Sequence, residues 1–213
     1  MDGVLYDSMP YHVQAWDETI LSLGMDSNPG DYYLFEGMTG GATIDILFNR
    51  AYGHGATDEE KETIYAKKAK RFVELNHTPR PMPGAKEVLE TVKRMGIKRV
   101  LVTGSGQPTL FGNLEKDFPG AFEKDLMVTS FDVKFGKPHP EPYLLGLEKA
   151  GITAREALAV ENAPLGVQSA VAAGIYTIAV NTGPLPDSVL LDAGANRLFP
   201  SMTVLAKKIR YML

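Results

Sequence analysis

The sequence predicts an α/β protein, with a Rossmann-like parallel sheet covered by helices on both faces and an inserted all-α segment. From Gly84 onward, short apolar runs typical of buried strands alternate with amphipathic helical patterns. Between about residues 9 and 76, apolar residues recur at helical spacing, so this stretch is expected to form helices alone. A proline-rich hinge at residues 78–84 separates the two patterns.

The helical segment is expected to contain three helices. The first begins at residue 9 or 10, with Ser8 as its N-cap, and ends near Gly24. A second helix is expected over residues 43–52. A third begins at the acidic run after Thr57 and continues to about Leu75.

Five strands are expected after the hinge, preceded by a helix over residues 85–95. Short, mostly apolar runs predict strands at residues 99–102, 126–129, 157–160 and 176–180, with a weaker one at residues 197–199. Ligands of open parallel sheets bind beyond the carboxyl ends of the strands. The residues that follow each strand are therefore the candidates for a functional site.

Composition excludes several classes of function. The formal net charge of −4 gives no electrostatic attraction to nucleic acid or anionic lipid. No apolar run reaches membrane-spanning length, and no signal peptide is visible. The absence of cysteine excludes disulfides and thiolate metal sites and fits a reducing compartment. We expect a cytoplasmic monomer or weak dimer that acts on a small molecule, without nucleic-acid or membrane partners.

The strand at residues 99–102 is followed by a run suited to phosphate. Thr103 offers a hydroxyl, and the backbone amides around Gly104 and Ser105 are open to close approach. An ordinary strand-to-helix turn with a Thr or Ser cap is the alternative. A dinucleotide-binding loop is disfavoured, because the run lacks the third glycine of that motif.

A lysine with a fixed backbone follows the next strand. Lys137 precedes three alternating prolines, Pro138, Pro140 and Pro142, which restrict the chain just beyond it. Its ammonium is suited to hold a phosphate and a carboxylate together. The alternative is a solvated surface lysine.

Oxygen-bearing side chains follow the strand at residues 157–160. Glu161 and Asn162 are suited to a hard cation, which prefers oxygen ligands. The alternative, compatible with the first, is that Asn162 caps the following helix. Near the start of the chain, Asp2 opens an Asp-Gly turn that is unremarkable by itself.

Taken in their order along the chain, these motifs resemble those of the haloacid dehalogenase superfamily, and specifically of its β-phosphoglucomutase-like phosphatase branch. The resemblance covers essentially the whole chain. Residues 1–4 match the motif Asp-x-Asp-Gly-[Thr/Val] except at its first Asp. Thr103 ends the second motif, and Lys137 stands in the third, Gly-Lys-Pro-x-Pro. Glu161 and Asn162 occupy the fourth.

The resemblance implies a magnesium-dependent phosphohydrolase with an aspartyl-phosphate intermediate. The first Asp of the motif attacks phosphorus, and Asp2 protonates the leaving oxygen and later activates water. Lys137, Thr103 and the amides near Gly104 and Ser105 hold the transferring group. Mg²⁺ is expected at Asp2, Glu161 and Asn162.

The resemblance also implies a division into domains and a missing nucleophile. The core domain comprises residues 1–8 and 79–213, and residues 9–78 form a helical cap that closes over the site. The family's nucleophilic Asp would stand immediately before Met1, at the end of a central strand. A chain without that strand is expected to fold poorly and to turn over nothing. We therefore expect that Met1 is an internal methionine or that the sequence is trimmed.

Three positions distinguish this chain from a sugar-phosphate mutase. His12 fits the mutase pattern, but Glu36 and Gly40 stand where mutases carry Lys and Arg for a second phosphate. Asn162 replaces a metal-binding Asp, and Glu36 is expected to reach toward the magnesium and offset the lost charge; a solvated carboxylate is the alternative. These residues favour hydrolysis of a small phosphate compound, with inorganic pyrophosphate a serious candidate. A mutase and a non-catalytic phosphate-binding relative are the alternatives.

Overall fold

A computed structural model of the chain describes residues 1–78, 80–106 and 108–213, and it describes side chains throughout these ranges except at residues 108–111. The predicted boundary between cap and core falls at Pro79, which lies outside the described residues. The division into two domains stays a prediction.

The first part of the chain after the N-terminal turn is wholly helical. It contains α1 (Met9–Leu21), α2 (Pro29–Leu34), α3 (Gly40–Tyr52) and α4 (Asp58–Leu75). These helices share an apolar cluster to which each contributes, including Trp16, Tyr32, Ile44 and Ile64. The burial of this shared stripe holds the four helices together, because none of them could bury its apolar face alone.

Two helix starts differ from the sequence-based expectation. Helix α2 was not predicted, although Asn28 accepts a hydrogen bond from the Gly30 N–H and proline occupies its first turn. Helix α3 begins three residues earlier than expected, because the Thr39 hydroxyl caps it through the Ala42 N–H at 3.3 Å. Helix α4 begins as expected, with Thr57 and Glu60 forming a capping box.

The rest of the chain alternates helices and strands. The helices are α5 (Ala85–Arg94), α6 (Pro108–Asp117), α7 (Glu141–Ala150), α8 (Pro164–Ala172), α9 (Asp187–Asp192) and α10 (Met202–Lys208). The strands are β1 (Leu101–Val102), β2 (Met127–Val128), β3 (Leu158–Glu161), β4 (Tyr176–Val180) and β5 (Arg197–Phe199). Short 3₁₀ turns occupy Lys124–Leu126, Ala154–Glu156 and Ile209–Tyr211.

All strand pairs of the described residues are parallel, which confirms the predicted α/β class. β1 pairs with β2, and β4 lies between β3 and β5. The sequence predicts one sheet. The described strands instead form a two-stranded sheet and a three-stranded sheet, since no described ladder of hydrogen bonds joins β1 to β3. The main apolar cluster packs α5 and α10 against the strands through residues such as Val88, Ile178 and Leu205.

Strand β1 is shorter than the apolar run predicts. Arg99 lies outside it, and its guanidinium donates to the carbonyl oxygens of Ile97 and Ala121 at 3.0 and 2.6 Å. The Arg99 side chain thereby links the segment that precedes β1 to the loop that follows α6. In the described part of the chain, no helix has both the length and the apolar character needed to cross a membrane.

Candidate active site

A cavity of about 90 Å³ lies between the helical segment α1–α4 and the loops that follow β1, β2 and β3. Every residue that the sequence analysis singled out for a site lines it. These residues are Asp2, His12, Glu36, Thr103, Gly104, Ser105, Lys137, Glu161 and Asn162. The structure therefore brings the candidates together, while their chemical roles stay predictions.

The Asp2 carboxylate is held by two donors from the start of α1. The Ser8 hydroxyl donates to Oδ1 of Asp2 at 2.6 Å, and the His12 ring nitrogen Nε2 lies 3.2 Å from the same oxygen. Ser8 occupies the N-cap position of α1, as predicted, but its side chain donates to Asp2 and makes no cap hydrogen bond. Burial raises the pKa of Asp2, but His12 and Ser8 outweigh burial and hold it below its usual range.

His12 connects Asp2 to a buried lysine of α4. The Nζ atom of Lys68 lies 2.7 Å from Nδ1 of His12, and the imidazole stacks on Phe72 with ring centroids 4.0 Å apart. An ammonium can only donate, so Nδ1 accepts and the Nε2–H of His12 donates to Asp2. Burial, and then Lys68, lower the pKa of His12, while burial lowers the pKa of Lys68 to about 7.

Lys137 and Glu161 form a buried ion pair beneath the cavity. The Lys137 ammonium donates to Oε1 of Glu161 and lies 3.4 Å from the Val102 carbonyl oxygen. Burial raises the pKa of Glu161, but the Lys137 ammonium outweighs it, so the pKa lies below its usual value. Lys137 is thus not the solvated surface lysine that was the alternative, since its side chain is only 5% exposed.

The loop after β1 approaches the helical segment closely. The Ser105 N–H donates to the Thr103 hydroxyl oxygen at 3.1 Å, so the hydroxyl proton of Thr103 can still donate into the cavity. A Cβ atom on Gly104 would lie 2.5 Å from the Gly37 carbonyl oxygen. Only glycine permits this approach between the β1 loop and the loop that carries Glu36.

Glu36 and Asn162 meet across the cavity. The Asn162 amide donates to Oε1 of Glu36 at 2.8 Å, and the N-cap of α8 is Ala163, so Asn162 does not cap that helix. Burial, followed by the charges of Asp2 and Glu161, raises the pKa of Glu36 to about 8, although the Asn162 hydrogen bond lowers it in part. Glu36 is thus a buried carboxyl group whose pKa is raised by burial and by two neighbouring acids.

The donors around Glu36 fit a hard cation. Asp2, Glu36 and the Asn162 carbonyl supply oxygen atoms, and an acid whose pKa is raised by neighbouring acids is stabilised by a cation. Within the described ranges, no three His, Asp or Glu side chains form a complete metal site. Mg²⁺ fits such a partial set, because it usually keeps several waters and takes one or two carboxylates plus a phosphate.

Sequence reasoning missed two residues that hold the site. Lys68 lies in a strongly charged helix whose pattern gives no sign of a buried lysine, and Tyr143 is the partner of Glu161 rather than a lining residue. The spacing of Lys68 and Phe72, one helical turn apart, was the available signal for Lys68. The aromatic lining of the cavity by Tyr32, Phe35 and Tyr65 was also not foreseen.

Comparisons with known proteins agree with the architecture and the motifs. The family model of the haloacid dehalogenase-like hydrolases matches residues 1–174. The "Phosphorylated carbohydrates phosphatase" of Thermotoga maritima is 32% identical over 197 residues, which cover 92% of this chain and 89% of that protein. "Hexitol phosphatase A" of Escherichia coli is 31% identical, over 85% of this chain and 80% of its own length.

Solved structures give the same result. A "Putative beta-phosphoglucomutase" from Bacteroides vulgatus is 51% identical and superposes with a TM-score of 0.94 over 98% of this chain and 84% of that chain. A hydrolase from Pseudomonas syringae is 28% identical, with a TM-score of 0.88 over 99% of this chain and 95% of its own. The chain therefore belongs to the haloacid dehalogenase-like hydrolases, and within them to the β-phosphoglucomutase-like branch.

Proposed function

We propose that the protein is a Mg²⁺-dependent phosphohydrolase that acts on a small phosphate compound through an aspartyl-phosphate intermediate. The observation that carries the proposal is the convergence on one cavity of a hydrogen-bonded Asp2 carboxylate and the Lys137 ammonium. An acid–base group and a fixed cation on the same cavity are what phosphoryl transfer requires of a protein. The nucleophile is proposed to be the first Asp of the motif Asp-x-Asp-Gly, whose other three positions match residues 1–3.

Lys137 and the β1 loop bind the transferring phosphoryl group in this account. The ammonium is oriented by Glu161 and Val102, which leaves a third N–H to donate to a phosphoryl oxygen. The Thr103 hydroxyl and the backbone amides near Gly104 and Ser105 add neutral donors around the same group. These donors are in place before the substrate binds, so the reaction needs little reorganisation of the site.

Asp2 is proposed to move the proton. The anionic phosphoryl group would raise the pKa of Asp2 when the substrate binds, so that Asp2 can take up a proton and pass it to the leaving oxygen in the first half of the reaction. In the second half it accepts a proton from water. His12 donates to its Oδ1 and fixes the carboxylate, and Lys68 fixes the tautomer of His12. Since Ser8, His12 and Lys68 all lie in the predicted cap or at its start, the arrangement of Asp2 depends on the position of the cap.

Asp2, Glu36 and Asn162 would hold Mg²⁺, which would neutralise charge on the phosphoryl oxygens. Glu161, which the resemblance also assigns to the metal, is proposed to hold Lys137 instead, because its Oε1 accepts from that ammonium. Asn162 supplies a neutral carbonyl oxygen, so Glu36 is proposed to restore the missing negative charge. This role requires the Glu36–Asn162 hydrogen bond to open, so that the Asn162 carbonyl and the Glu36 carboxylate both face the ion. A cation bound there would also explain why an acid stands at this position, since without the ion its charge would repel a second substrate phosphate.

Inorganic pyrophosphate is proposed as the first candidate substrate. The cavity is small, about 90 Å³, which favours a compact phosphate compound. Phosphorylated carbohydrates are the second candidate. Trp16 and Tyr65 line the cavity with aromatic faces suited to a sugar, and two relatives carry names that state phosphatase activity on phosphorylated carbohydrates or hexitols. A mutase is disfavoured, because Glu36 and Gly40 provide no cation for a second sugar phosphate.

A product analysis tests the proposal. The protein, expressed with any codons that lie in frame upstream of Met1, is incubated with Mg²⁺ and, in separate samples, with pyrophosphate, hexose phosphates, hexitol phosphates and β-glucose 1-phosphate. The products are followed by ³¹P NMR. Free phosphate from at least one compound supports a hydrolase. Conversion of β-glucose 1-phosphate to glucose 6-phosphate without free phosphate would instead establish the mutase, and binding without any product would establish a non-catalytic relative.

A further inference from the structure

Glu161 is contacted on three sides. Its Oε1 atom accepts hydrogen bonds from both the Lys137 ammonium and the Tyr143 hydroxyl. Its Oε2 atom lies over Gly166 in the first turn of α8, where a Cβ atom would overlap it. Glu161, Lys137 and Tyr143 are each less than a tenth exposed. The carboxylate is therefore fixed, and the side chain of Tyr143 has no role in the chemistry described so far.

Tyr143 is placed by the same segment that places Lys137. It follows the lysine by six residues, in the first turn of α7, and its N–H donates to the Pro140 carbonyl oxygen at 3.0 Å. The Nζ atom of Lys137 lies 5.2 Å from the centroid of its ring. The tyrosine thus touches both members of the ion pair, through its hydroxyl on Glu161 and through its ring face near the ammonium.

We propose that Tyr143 is a positioning residue for phosphate binding, which holds Glu161 so that Lys137 points its free N–H into the cavity. The inference rests on the proposed function, because it assigns Lys137 to the phosphoryl group. Tyr143 is not one of the described residues that line the cavity, so it acts through its two partners, Glu161 and Lys137.

The chemistry of the cluster explains why a tyrosine is needed. A carboxylate buried with a single lysine has lone pairs left over, and it can rotate toward any other cation or donor nearby. The Tyr143 hydroxyl occupies one of these lone pairs with a donor that stays neutral. Burial, and then the Glu161 charge, raise the pKa of Tyr143 well above its usual value, so the hydroxyl keeps its proton.

Tyr6 offers a matched control in the same chain. It is also a buried tyrosine, and its hydroxyl donates to Oδ2 of Asp117 at 3.2 Å. Tyr6 does not line the cavity. Tyr143→Phe and Tyr6→Phe therefore each remove one hydroxyl from one carboxylate, but only the first alters a carboxylate that holds Lys137.

Two readouts test the inference. The first is the dissociation constant of inorganic phosphate, from ³¹P NMR titration with MgCl₂ present. We expect about a fivefold to tenfold weakening in Tyr143→Phe and less than about a twofold change in Tyr6→Phe. The second is the ¹⁵N signal of the Lys137 ammonium in the free protein, assigned by its loss in Lys137→Arg. It should shift and broaden in Tyr143→Phe alone.

The outcomes separate this inference from the proposed function. If the wild type hydrolyses phosphate compounds and the two phenylalanine variants weaken phosphate binding equally, Tyr143 is merely structural and the inference is overturned. If the wild type neither binds nor hydrolyses any phosphate compound, the proposed function fails. In that case the ¹⁵N signal of Lys137 still tests whether Tyr143 orients the ammonium. An equal shift of this signal in Tyr143→Phe and Tyr6→Phe would overturn the inference.

Discussion

The imidazole of His12 lies between Asp2 and Lys68, with Nε2 3.2 Å from the Asp2 carboxylate and Nδ1 2.7 Å from the Lys68 ammonium. The three groups belong to the N-terminal turn, to α1 and to α4. A carboxylate that lines the cavity is thus connected by two hydrogen bonds to a lysine inside the helical segment. Any movement of that segment away from the sheet would break the connection.

Replacing His12 by Phe is expected to lower turnover. The new ring can keep the stack on Phe72, but it removes both nitrogens and leaves Asp2 with Ser8 as its remaining side-chain donor. We expect kcat for phosphate release to fall by about 10²-fold, since general acid–base catalysis contributes on that order. The exposed His54, changed to Phe, is the control and should leave kcat unchanged. Equal rates for His12→Phe and wild type would exclude the proposed role of His12.

Lys68 is expected to make stability depend on pH. Its pKa is about 7 in the folded chain against an ordinary value of 10.5, so between these values the unfolded chain binds the proton more tightly. The wild type therefore loses stability as the pH falls from about 10.5 to 7. In Lys68→Met this loss is absent. Its free energy of unfolding relative to wild type should therefore rise by about 3–4 kcal/mol as the pH falls from 10 to 7.

Urea denaturation of both proteins at the two pH values measures this difference. Lys67→Met, one residue away on the exposed side of α4, serves as the control and should show no such change. A pH-independent difference between Lys68→Met and wild type would mean that Lys68 keeps an ordinary pKa in the folded chain.

Much of the fold follows from the sequence because its signals are local. The apolar runs at Tyr176–Val180 and Arg197–Phe199 give β4 and β5 their observed bounds. The Thr57 capping box fixes the start of α4 in the same way. Helix α2 was missed although Asn28 and its following proline carry start signals, because six residues are too few to show a helical period.

The site was predictable where its residues follow strands and not where they act from a helix face. Thr103, Lys137 and Glu161 were identified because the carboxyl ends of parallel strands meet at one edge. Lys68 and Tyr143 were not, because burial of a polar side chain depends on how distant elements pack. Ser8 takes the predicted N-cap position of α1, but its hydroxyl does not cap the helix, because a carboxylate brought near by folding competes for it.

Glu36 is expected to couple stability to Mg²⁺. Its pKa of about 8 lies above its ordinary 4.5, so its contribution to stability is present below pH 4.5 and is lost as the pH rises through 8. In metal-free buffer, the Tm of Glu36→Gln minus that of the wild type should therefore increase as the pH rises from 5 to 8.5. At pH 8.5, Mg²⁺ should raise the Tm of the wild type by roughly 3–6 °C and that of Glu36→Gln much less.

Thermal unfolding with and without Mg²⁺ measures these shifts. Glu87→Gln, an exposed acid in the first turn of α5, is the control and should respond to Mg²⁺ as the wild type does. The same Mg²⁺-induced shift in Glu36→Gln and wild type would remove Glu36 from the proposed metal site.

Gly166 is expected to tolerate no side chain. A Cβ atom there would overlap the Glu161 carboxylate, which Lys137 and Tyr143 hold from the other side. Gly166→Ala should cost about 2–3 kcal/mol of unfolding free energy. Gly112→Ala, in α6 with no atom within 4 Å of its added Cβ, should instead gain up to about 1 kcal/mol. Urea denaturation compares the two, and a neutral Gly166→Ala would show that Glu161 is free to move.

The most direct measurement is phosphate release from pyrophosphate by wild type and Asp2→Asn, with Mg²⁺ and with EDTA. The protein is expressed with any codons that lie in frame upstream of Met1, and the exposed Asp26→Asn is the control. The account predicts release that needs Mg²⁺, is unchanged in Asp26→Asn and falls by about 10²-fold or more in Asp2→Asn. Release that persists in EDTA, or equal rates in Asp2→Asn and wild type, would contradict it.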